Sequence, residues 1–243
     1  MTFYGTLDSG ISPLAIVLFV AGGVWGVVAD RIATRWPEHD VEEGFLPGRG
    51  VGWRTVVVAV FGAVGLGLLP SVLVDRPTGA AESVATLVVA TPGSALSLAI
   101  FVAYVVVLVV LLATDLDQRI LPDVLTLPMI PLALLFALSG LDPLVGAQIV
   151  PAIAAALIIP AVLYLPSLLF GPGAFGLGDV KLLVTVGLIS GGYRAVAGTI
   201  GGILIAGLVI VVLLVTRRVT LKTYIPFGPF LILGALWAIL LRT

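Results

Sequence analysis

The sequence predicts an all-α, polytopic integral membrane protein with about eight transmembrane helices and both termini outside. Hydrophobic residues make up 60% of the 243-residue chain and charged residues only 10%, and the mean hydropathy is +1.25. A soluble domain averages about 25% charged residues, so this composition indicates a chain whose partner is the lipid bilayer. The net charge of −1 gives no reason to expect a nucleic-acid partner.

Eight apolar segments account for this composition, and a membrane-spanning helix needs about 20 apolar residues. They cover approximately residues 11–29, 55–74, 95–114, 124–139, 146–170, 180–192, 195–216 and 224–241, of which the fourth and sixth are short. The first has no basic region before it and no convincing cleavage site, so we expect a retained helix rather than a signal peptide. Two GxxxG pairs, Gly22 with Gly26 and Gly198 with Gly202, indicate close helix packing.

Basic residues are unevenly divided between the two sides of this predicted bundle. If the amino terminus lies outside, nine of the 12 Lys and Arg residues fall on the inner side: Arg31, Arg35, Arg49, Arg54, Arg119, Lys181, Arg217, Arg218 and Lys222. The outer side then carries only Arg76, Arg194 and Arg242. Because inner loops are enriched in positive charge, this bias predicts that both termini are outside.

A carboxylate at the start of the sixth apolar segment is the first candidate site residue. Asp179 follows Gly176 and Gly178 in the sequence Phe-Gly-Leu-Gly-Asp-Val-Lys-Leu-Leu, residues 175–183. A charge beside hydrocarbon is costly, so such an acid indicates function by default. The glycines would permit unusual φ values and a close approach of backbone or substrate. Asp179 is expected in the first helical turn, where it could instead be a simple N-capping residue.

Three carboxylates between two upstream apolar segments are possible partners for Asp179. They are Asp115, Asp117 and Asp123. Asp115 and Asp179 are 64 residues apart, so only helix packing could bring them together. Two converging carboxylates can share one proton, because like charges at close range do not both ionise. One can then act as a base toward water while the other acts as an acid toward a carbonyl.

Three ordered motifs resemble those of bacterial type IV prepilin peptidases, a family of GxGD-type aspartic membrane proteases. The first is Asp115 with Leu-Pro-Asp-Val-Leu-Thr-Leu-Pro at 121–128, the second is Gly-Leu-Gly-Asp-Val-Lys-Leu-Leu at 176–183, and the third is Ile-Pro-Phe-Gly-Pro-Phe at 225–230. The resemblance covers roughly residues 100–240. We accordingly expect an N-terminal membrane region, 1–94, with a cytoplasmic loop at 30–54, and a catalytic six-helix membrane region at 95–243.

The resemblance implies an aspartic endopeptidase of the bacterial inner membrane with its active site facing the cytoplasm. It would remove the short basic leader of type IV prepilins or pseudopilins, with water as the nucleophile and no cofactor. Asp115 and Asp179 would be the catalytic pair. The supporting residues that it indicates are Asp123, Gly176, Gly178 and Lys181. Asp117 is expected to mark the cytosolic boundary, and Lys181 to extend toward lipid head groups.

The polar stretch at 30–54 departs from the pattern of the family. Many members carry paired Cys-x-x-Cys motifs there, taken to bind zinc, whereas this chain has no cysteine and a single histidine, His39. A metal site is therefore not expected. Four acids are candidate contacts for the basic leader: Glu38, Asp40, Glu42 and Glu43. Many members also methylate the new N-terminal residue, and S-adenosylmethionine would be needed here only if that activity is retained.

Two other functions fit parts of the same pattern. Another GxGD membrane protease would share the pair of aspartates, although the flanking Leu-Pro-Asp and Pro-Phe-Gly-Pro-Phe motifs argue against it. A proton-coupled multi-helix transporter would also combine acids with glycine-rich and proline-containing helices. Such a carrier should show internal repeats, and none is evident between the two halves of the chain. The position of the carboxylates, at the cytosolic edge or at the bilayer midplane, separates these alternatives.

Overall fold

The computed structural model describes residues 13–36, 50–74, 92–170, 176–218 and 227–241, and these residues form α-helices without a strand. The helices are α1 (Pro13–Ala33), α2 (Trp53–Val74), α3 (Pro92–Gln118), α4 (Asp123–Leu138), α5 (Ile149–Phe170), α6 (Leu177–Val215) and α7 (Gly228–Leu240). The predicted all-α class is confirmed for this part of the chain, and each predicted apolar segment overlaps a helix.

Four of these helices are long and apolar enough to cross a membrane, namely α1, α2, α3 and α6. The helices α4, α5 and α7 are apolar but have shorter qualifying stretches. Large apolar side chains on α1, such as Val17, Val20 and Val24, are more than half exposed, as expected where a helix faces lipid. The number of crossings and the position of the termini stay predictions.

Gly191 divides α6 into two antiparallel halves. Its φ of 78° and ψ of 173° lie in a region that essentially only glycine occupies. The first half runs alongside α7, since Asp179 lies near Gly228 while Arg194 donates to the carbonyl oxygen of Leu241. After Gly191 the direction reverses, because Gly198 then packs near Ala238. The 39-residue element thus corresponds to the sixth and seventh predicted segments.

The GxxxG pairs bring helix backbones into contact, as predicted from the sequence. A Cβ atom at Gly22 would collide with the carbonyl oxygen of Gly62 on α2. One at Gly202 would lie 2.5 Å from the carbonyl oxygen of Phe230 on α7. Without side chains at these positions, the helices gain close van der Waals contact, which drives association where lipid removes the hydrophobic driving force.

The core of the bundle follows α3, whose inner face is almost fully buried at Phe101, Val105, Leu108 and Leu112. This helix packs against α1, α2 and α7, whereas α6 packs against α4, α5 and α7. The helix α7 therefore joins two groups of helices. A hydrogen bond of 3.4 Å between the hydroxyls of Tyr104 on α3 and Thr185 on α6 also connects the two groups. The C-terminal end of α3 and the N-terminal end of α6 meet where the two groups are in contact.

Candidate active site

Asp115 lies in the last turn of α3, three residues before the helix ends at Gln118. Its side chain is buried, with the residue only 5% exposed. The helix stops because Arg119 adopts a left-handed conformation, with a φ of 58°, a common way for a helix to terminate. The chain then turns through Leu121 and Pro122 into α4. Asp115 is thus held on a rigid helix at the edge of the bundle.

Asp179 is the third residue of α6, whose N-cap is Gly176. Its Oδ2 accepts a hydrogen bond of 3.2 Å from the backbone N–H of Gly176. Asp179 therefore does cap the helix, and the dipole of the helix favours its negative charge. Capping and a chemical role are compatible, because the same residue also lines the cavity described below. The helix starts at Leu177, so Asp179 lies in the first helical turn as expected, three residues after Gly176.

The two glycines before Asp179 serve different purposes. At Gly178 a Cβ atom would lie 2.8 Å from the Cβ of Leu121, so glycine allows α6 to approach the α3–α4 connection closely. At Gly176 a Cβ would meet only ordinary contact distances, and the φ of −83° is open to any residue. The expectation that these glycines adopt unusual φ values is wrong, and the close approach is confirmed at Gly178 alone.

Asp115 and Asp179 line one cavity of about 220 Å³, in spite of their separation in sequence. Among the residues that the structure describes, the lining consists of Asp115, Arg119, Ile120, Leu121, Gly176, Gly178, Asp179, Phe227 and Gly228. The walls come from the end of α3, the start of α6 and the start of α7. A cavity of this volume has room for water. Two acids and one cation, Arg119, set its electrostatics.

Gly228 is a site residue that sequence reasoning missed. It is the first residue of α7, and a Cβ atom placed there would lie 2.5 Å from Oδ2 of Asp115. The carboxylate therefore packs directly onto the backbone of α7. The motif Ile-Pro-Phe-Gly-Pro-Phe was noticed in the sequence, but only packing connects its glycine with Asp115. Arg119 was likewise counted only as an inner-side charge.

The two charged supporting residues, Asp123 and Lys181, pair with each other outside the cavity. Lys181 Nζ donates to Oδ1 of Asp123 over 2.6 Å, so α6 and the first turn of α4 are joined across the site. The side chain of Lys181 is 21% exposed. Lys181 thus has a protein partner in Asp123, and its extension toward lipid head groups stays a prediction.

Asp117 does not share the cavity with Asp115. Its Oδ1 accepts a hydrogen bond from Nη1 of Arg54 on α2, and Arg54 also pairs with Asp30 on α1. Asp117 therefore has a defined structural partner rather than only a place at the boundary. The candidate leader contacts Glu38, Asp40, Glu42 and Glu43, together with His39, lie outside the described residues.

Fold and site together define a polytopic helical membrane protein with paired carboxylates at the ends of two helices. Residues 102–215 match the model of the type IV leader peptidase family. The matched region contains both Asp115 and Asp179, together with α4 and α5. This part of the chain is therefore similar to the type IV leader peptidase family, as its motifs indicated.

Curated relatives carry the name prepilin leader peptidase/N-methyltransferase. The protein of Aeromonas hydrophila is 33% identical over 159 residues, which are 65% of this chain and 54% of the relative. That of Pseudomonas aeruginosa is 34% identical over 128 residues, covering 52% and 43% respectively. That of Burkholderia pseudomallei is 34% identical over 123 residues, covering 50% and 40%. The chain thus spans about half the length of these relatives. No solved structure matches it.

Proposed function

We propose that this protein is a membrane aspartic endopeptidase that removes the basic leader peptide of type IV prepilins or pseudopilins. The observation that carries the proposal is the pair Asp115 and Asp179 in one small cavity. The family match and the names of the relatives point to the same substrate class. Cleavage would take place at the cytoplasmic face of the bacterial inner membrane.

In the proposed mechanism, the two carboxyls hold one proton between them before the substrate binds. The proximity of the two carboxyls favours this state, since a second negative charge close to the first is costly where Asp115 is buried. The ionised carboxylate takes a proton from water as the water oxygen attacks the scissile carbonyl carbon. The protonated carboxyl donates its proton to the carbonyl oxygen. When the tetrahedral intermediate collapses, the carboxyl that took the proton from water gives it to the amide nitrogen, which leaves as an amine. The other carboxylate takes back the proton of the hydroxyl that becomes the carbonyl, so the pair again holds one proton.

Supporting residues act on the geometry of the pair in this proposal. The ion pair between Lys181 and Asp123 braces the first turns of α6 and α4 against each other. Gly178 allows the start of α6 to approach Leu121, which brings Asp179 toward the end of α3. A displacement of about 1 Å at a reacting group can cost about 100-fold in rate, so these contacts matter although they lie outside the chemistry.

We place the leader-binding surface in the segment between α1 and α2. Glu38, Asp40, Glu42 and Glu43 would attract the basic leader, an effect that salt screens over about 8 Å at physiological ionic strength. The division into an N-terminal membrane region, 1–94, and a catalytic region, 95–243, is part of the proposal. One hydrophobic core nevertheless includes Val58 and Leu66 of α2 together with α3.

Methyl transfer is not assigned to this cavity. The relatives are named as N-methyltransferases as well as leader peptidases, and methylation would need S-adenosylmethionine as the methyl donor. Ligand pockets for molecules of that size usually measure about 300–1,000 Å³. The cavity that contains Asp115 and Asp179, at about 220 Å³, is smaller and is lined by two acids. We therefore assign only the peptidase step, which needs no cofactor, to this site.

The position of the acids favours a peptidase over a proton-coupled transporter. Asp115 is three residues from the end of α3 and Asp179 is two residues from the start of α6. Both therefore lie near a membrane boundary, where an extended leader can reach them. Carrier sites are instead found near the bilayer midplane, at breaks within helices.

Cleavage of a prepilin is the direct test of this function. The protein is co-expressed with candidate prepilins in a host without its own leader peptidase, and the pilin is followed by gel mobility and N-terminal sequencing. We expect a shorter pilin that begins after the basic leader. Intact prepilin with every candidate, together with cleavage of an unrelated membrane peptide, would favour another GxGD-type protease.

Reporter fusions test the orientation of the site. The cavity shares its end of the bundle with Arg54, Arg119 and Lys181, whereas Arg194 lies at the other end, near Leu241. Because positive charge favours the cytoplasmic side, we expect an external signal from a fusion within residues 75–91 and a cytosolic one from a fusion within 217–223. The reverse pair of signals would place the carboxylates outside, where no uncleaved leader is available.

A further inference from the structure

A buried ion cluster ties three helices together behind the candidate active site. Arg54, in the first turn of α2, donates from Nε to Oδ1 of Asp30 on α1 over 2.9 Å. Its Nη1 donates to Oδ1 of Asp117 in the last turn of α3. The hydroxyl of Thr55 donates to the other oxygen of Asp30 over 2.7 Å. We name the three charged residues the Asp30–Arg54–Asp117 triad.

The triad is too deeply buried to be an ordinary surface ion pair. Asp30 is 1% exposed and Arg54 is 9% exposed. Burying charges is costly, and two carboxylates around one guanidinium leave a net negative charge. If the triad served only to hold the helices together, apolar side chains would do so without the cost of removing charges from water. A directional network is of use where it determines how the helices are aligned.

The triad lies on the face of α3 opposite to Asp115. Residues 115 and 117 are separated by about 200° around the helix axis, so they project from nearly opposite faces of α3. Asp115 faces α7 and the cavity, while Asp117 faces Arg54 on α2. The next residue, Gln118, donates from Nε2 to the carbonyl oxygens of Ala33 and Trp36, over 2.8 Å and 3.2 Å. The last turn of α3 is thus fixed, on the face opposite to Asp115, by hydrogen bonds with α2 and with residues at the end of α1.

We infer that Arg54 is a positioning residue for Asp115 and acts through Asp117. The bond between Arg54 and Asp117 fixes the rotation and height of the last turn of α3, and so places the Asp115 carboxyl toward Asp179. The N-terminal helices are then part of the catalytic unit, although the family match begins only at residue 102. The expected effect on kcat rests on the proposed function, whereas the expected effect on the position of Asp115 does not.

The kinetic test distinguishes loss of the hydrogen bond between Arg54 and Asp117 from loss of the Asp117 charge. Asp117→Leu removes the acceptor and leaves the Asp30–Arg54 ion pair intact. We expect kcat for prepilin cleavage to fall at least about tenfold while KM stays within about twofold, because substrate contacts are unchanged. Asp117→Asn keeps an oxygen acceptor and should retain most of kcat. Arg54→Met removes the same bond, so combining it with Asp117→Leu should cost little more than the poorer single change.

A second test needs no enzymatic activity. The chain has no cysteine, so Asp115→Cys introduces a single thiol at the site. Its rate of modification by a small water-soluble maleimide reports the position of residue 115. We expect Asp117→Leu in this background to change that rate at least about fivefold. The matched control is Arg194→Met, which removes an arginine that bonds carbonyl groups at the far end of the bundle and should leave the rate unchanged.

Each outcome has a defined meaning. If Asp117→Leu leaves both kcat per folded molecule and the thiol rate unchanged, the inference is overturned. It is also overturned if kcat falls only in proportion to the folded fraction, since the triad would then serve stability alone. Failure of the wild-type protein to cleave any prepilin would overturn the proposed function, and the thiol rate would still test the triad.

A milder variant covers the case in which Asp117→Leu does not accumulate in the membrane. Arg54→Lys keeps the buried charge but loses the planar guanidinium that can reach two carboxylates at once. We expect it to show the same changes at smaller size. Wild-type values for both kcat and the thiol rate in Arg54→Lys would count against the triad.

Discussion

Asp115→Asn and Asp179→Asn are each expected to abolish prepilin cleavage while the protein remains folded and inserted. Asparagine preserves the size of the side chain but cannot exchange the proton that the mechanism moves between water and the carbonyl oxygen. General acid or base catalysis contributes about 10²–10⁴-fold for each group, so either loss should take the rate below detection in a gel assay. Conversion of prepilin over time, measured per amount of protein in the membrane, provides the readout.

The double variant gives a sharper version of the same result. Because the two acids act as one unit, Asp115→Asn with Asp179→Asn should be little worse than either change alone. Asp117→Asn is the matched control, since it alters an acid two residues away that does not line the cavity. A normal rate in Asp115→Asn with an inactive Asp117→Asn would move the assignment by two residues. Wild-type rates in both single variants of the pair would falsify the aspartic mechanism.

Gly228→Ala should be nearly as damaging, although it adds one methyl group to a residue that has no chemistry of its own. The new Cβ would lie 2.5 Å from Oδ2 of Asp115, well inside van der Waals contact. Either the carboxyl or the start of α7 must move, and a shift of about 1 Å at a reacting group can cost about 100-fold. We expect a fall in kcat of at least that order in the prepilin assay.

A second glycine provides the control for this substitution. Gly207→Ala, in the second half of α6, places a methyl group where nothing lies within 4 Å. It should leave kcat and thermal stability close to wild type. If Gly228→Ala is fully active, the carboxyl of Asp115 does not rest on α7 during catalysis, and the arrangement of the cavity would have to be reconsidered. A loss of thermal stability without loss of kcat would lead to the same conclusion.

Local sequence was sufficient to predict the two candidate catalytic acids. Asp115 and Asp179 lie at the ends of apolar segments, where a carboxylate is costly and is therefore a candidate for a functional residue. Helix packing at the glycine pairs could also be predicted, because small residues four apart always share one face of a helix. Such inferences depend only on residues that are near in the chain, so they need no knowledge of the fold.

Partners that are distant in the chain could not be predicted in the same way. Nothing near Asp117 indicates that it bonds to Arg54, 63 residues earlier, or that Lys181 reaches Asp123. The same holds for Gly228, whose motif was visible but whose contact with Asp115 depends on how α7 lies against α3. Each charged side chain had several carboxylates or cations available, and composition does not choose among them.

The sequence by itself indicated a helical membrane protein with motifs that resemble those of type IV leader peptidases, and it indicated which carboxylates are candidates for its chemistry. Hydrophobicity and motif order are properties of contiguous residues, so they can be read before folding. Tertiary structure alone decided that α7 supplies a wall of the cavity lined by Asp115 and Asp179, and that Arg54 bonds to Asp117 on the opposite face of α3. Those relations depend on the rotation and depth of packed helices, which a change of one residue in register, about 100° around the axis, would alter completely.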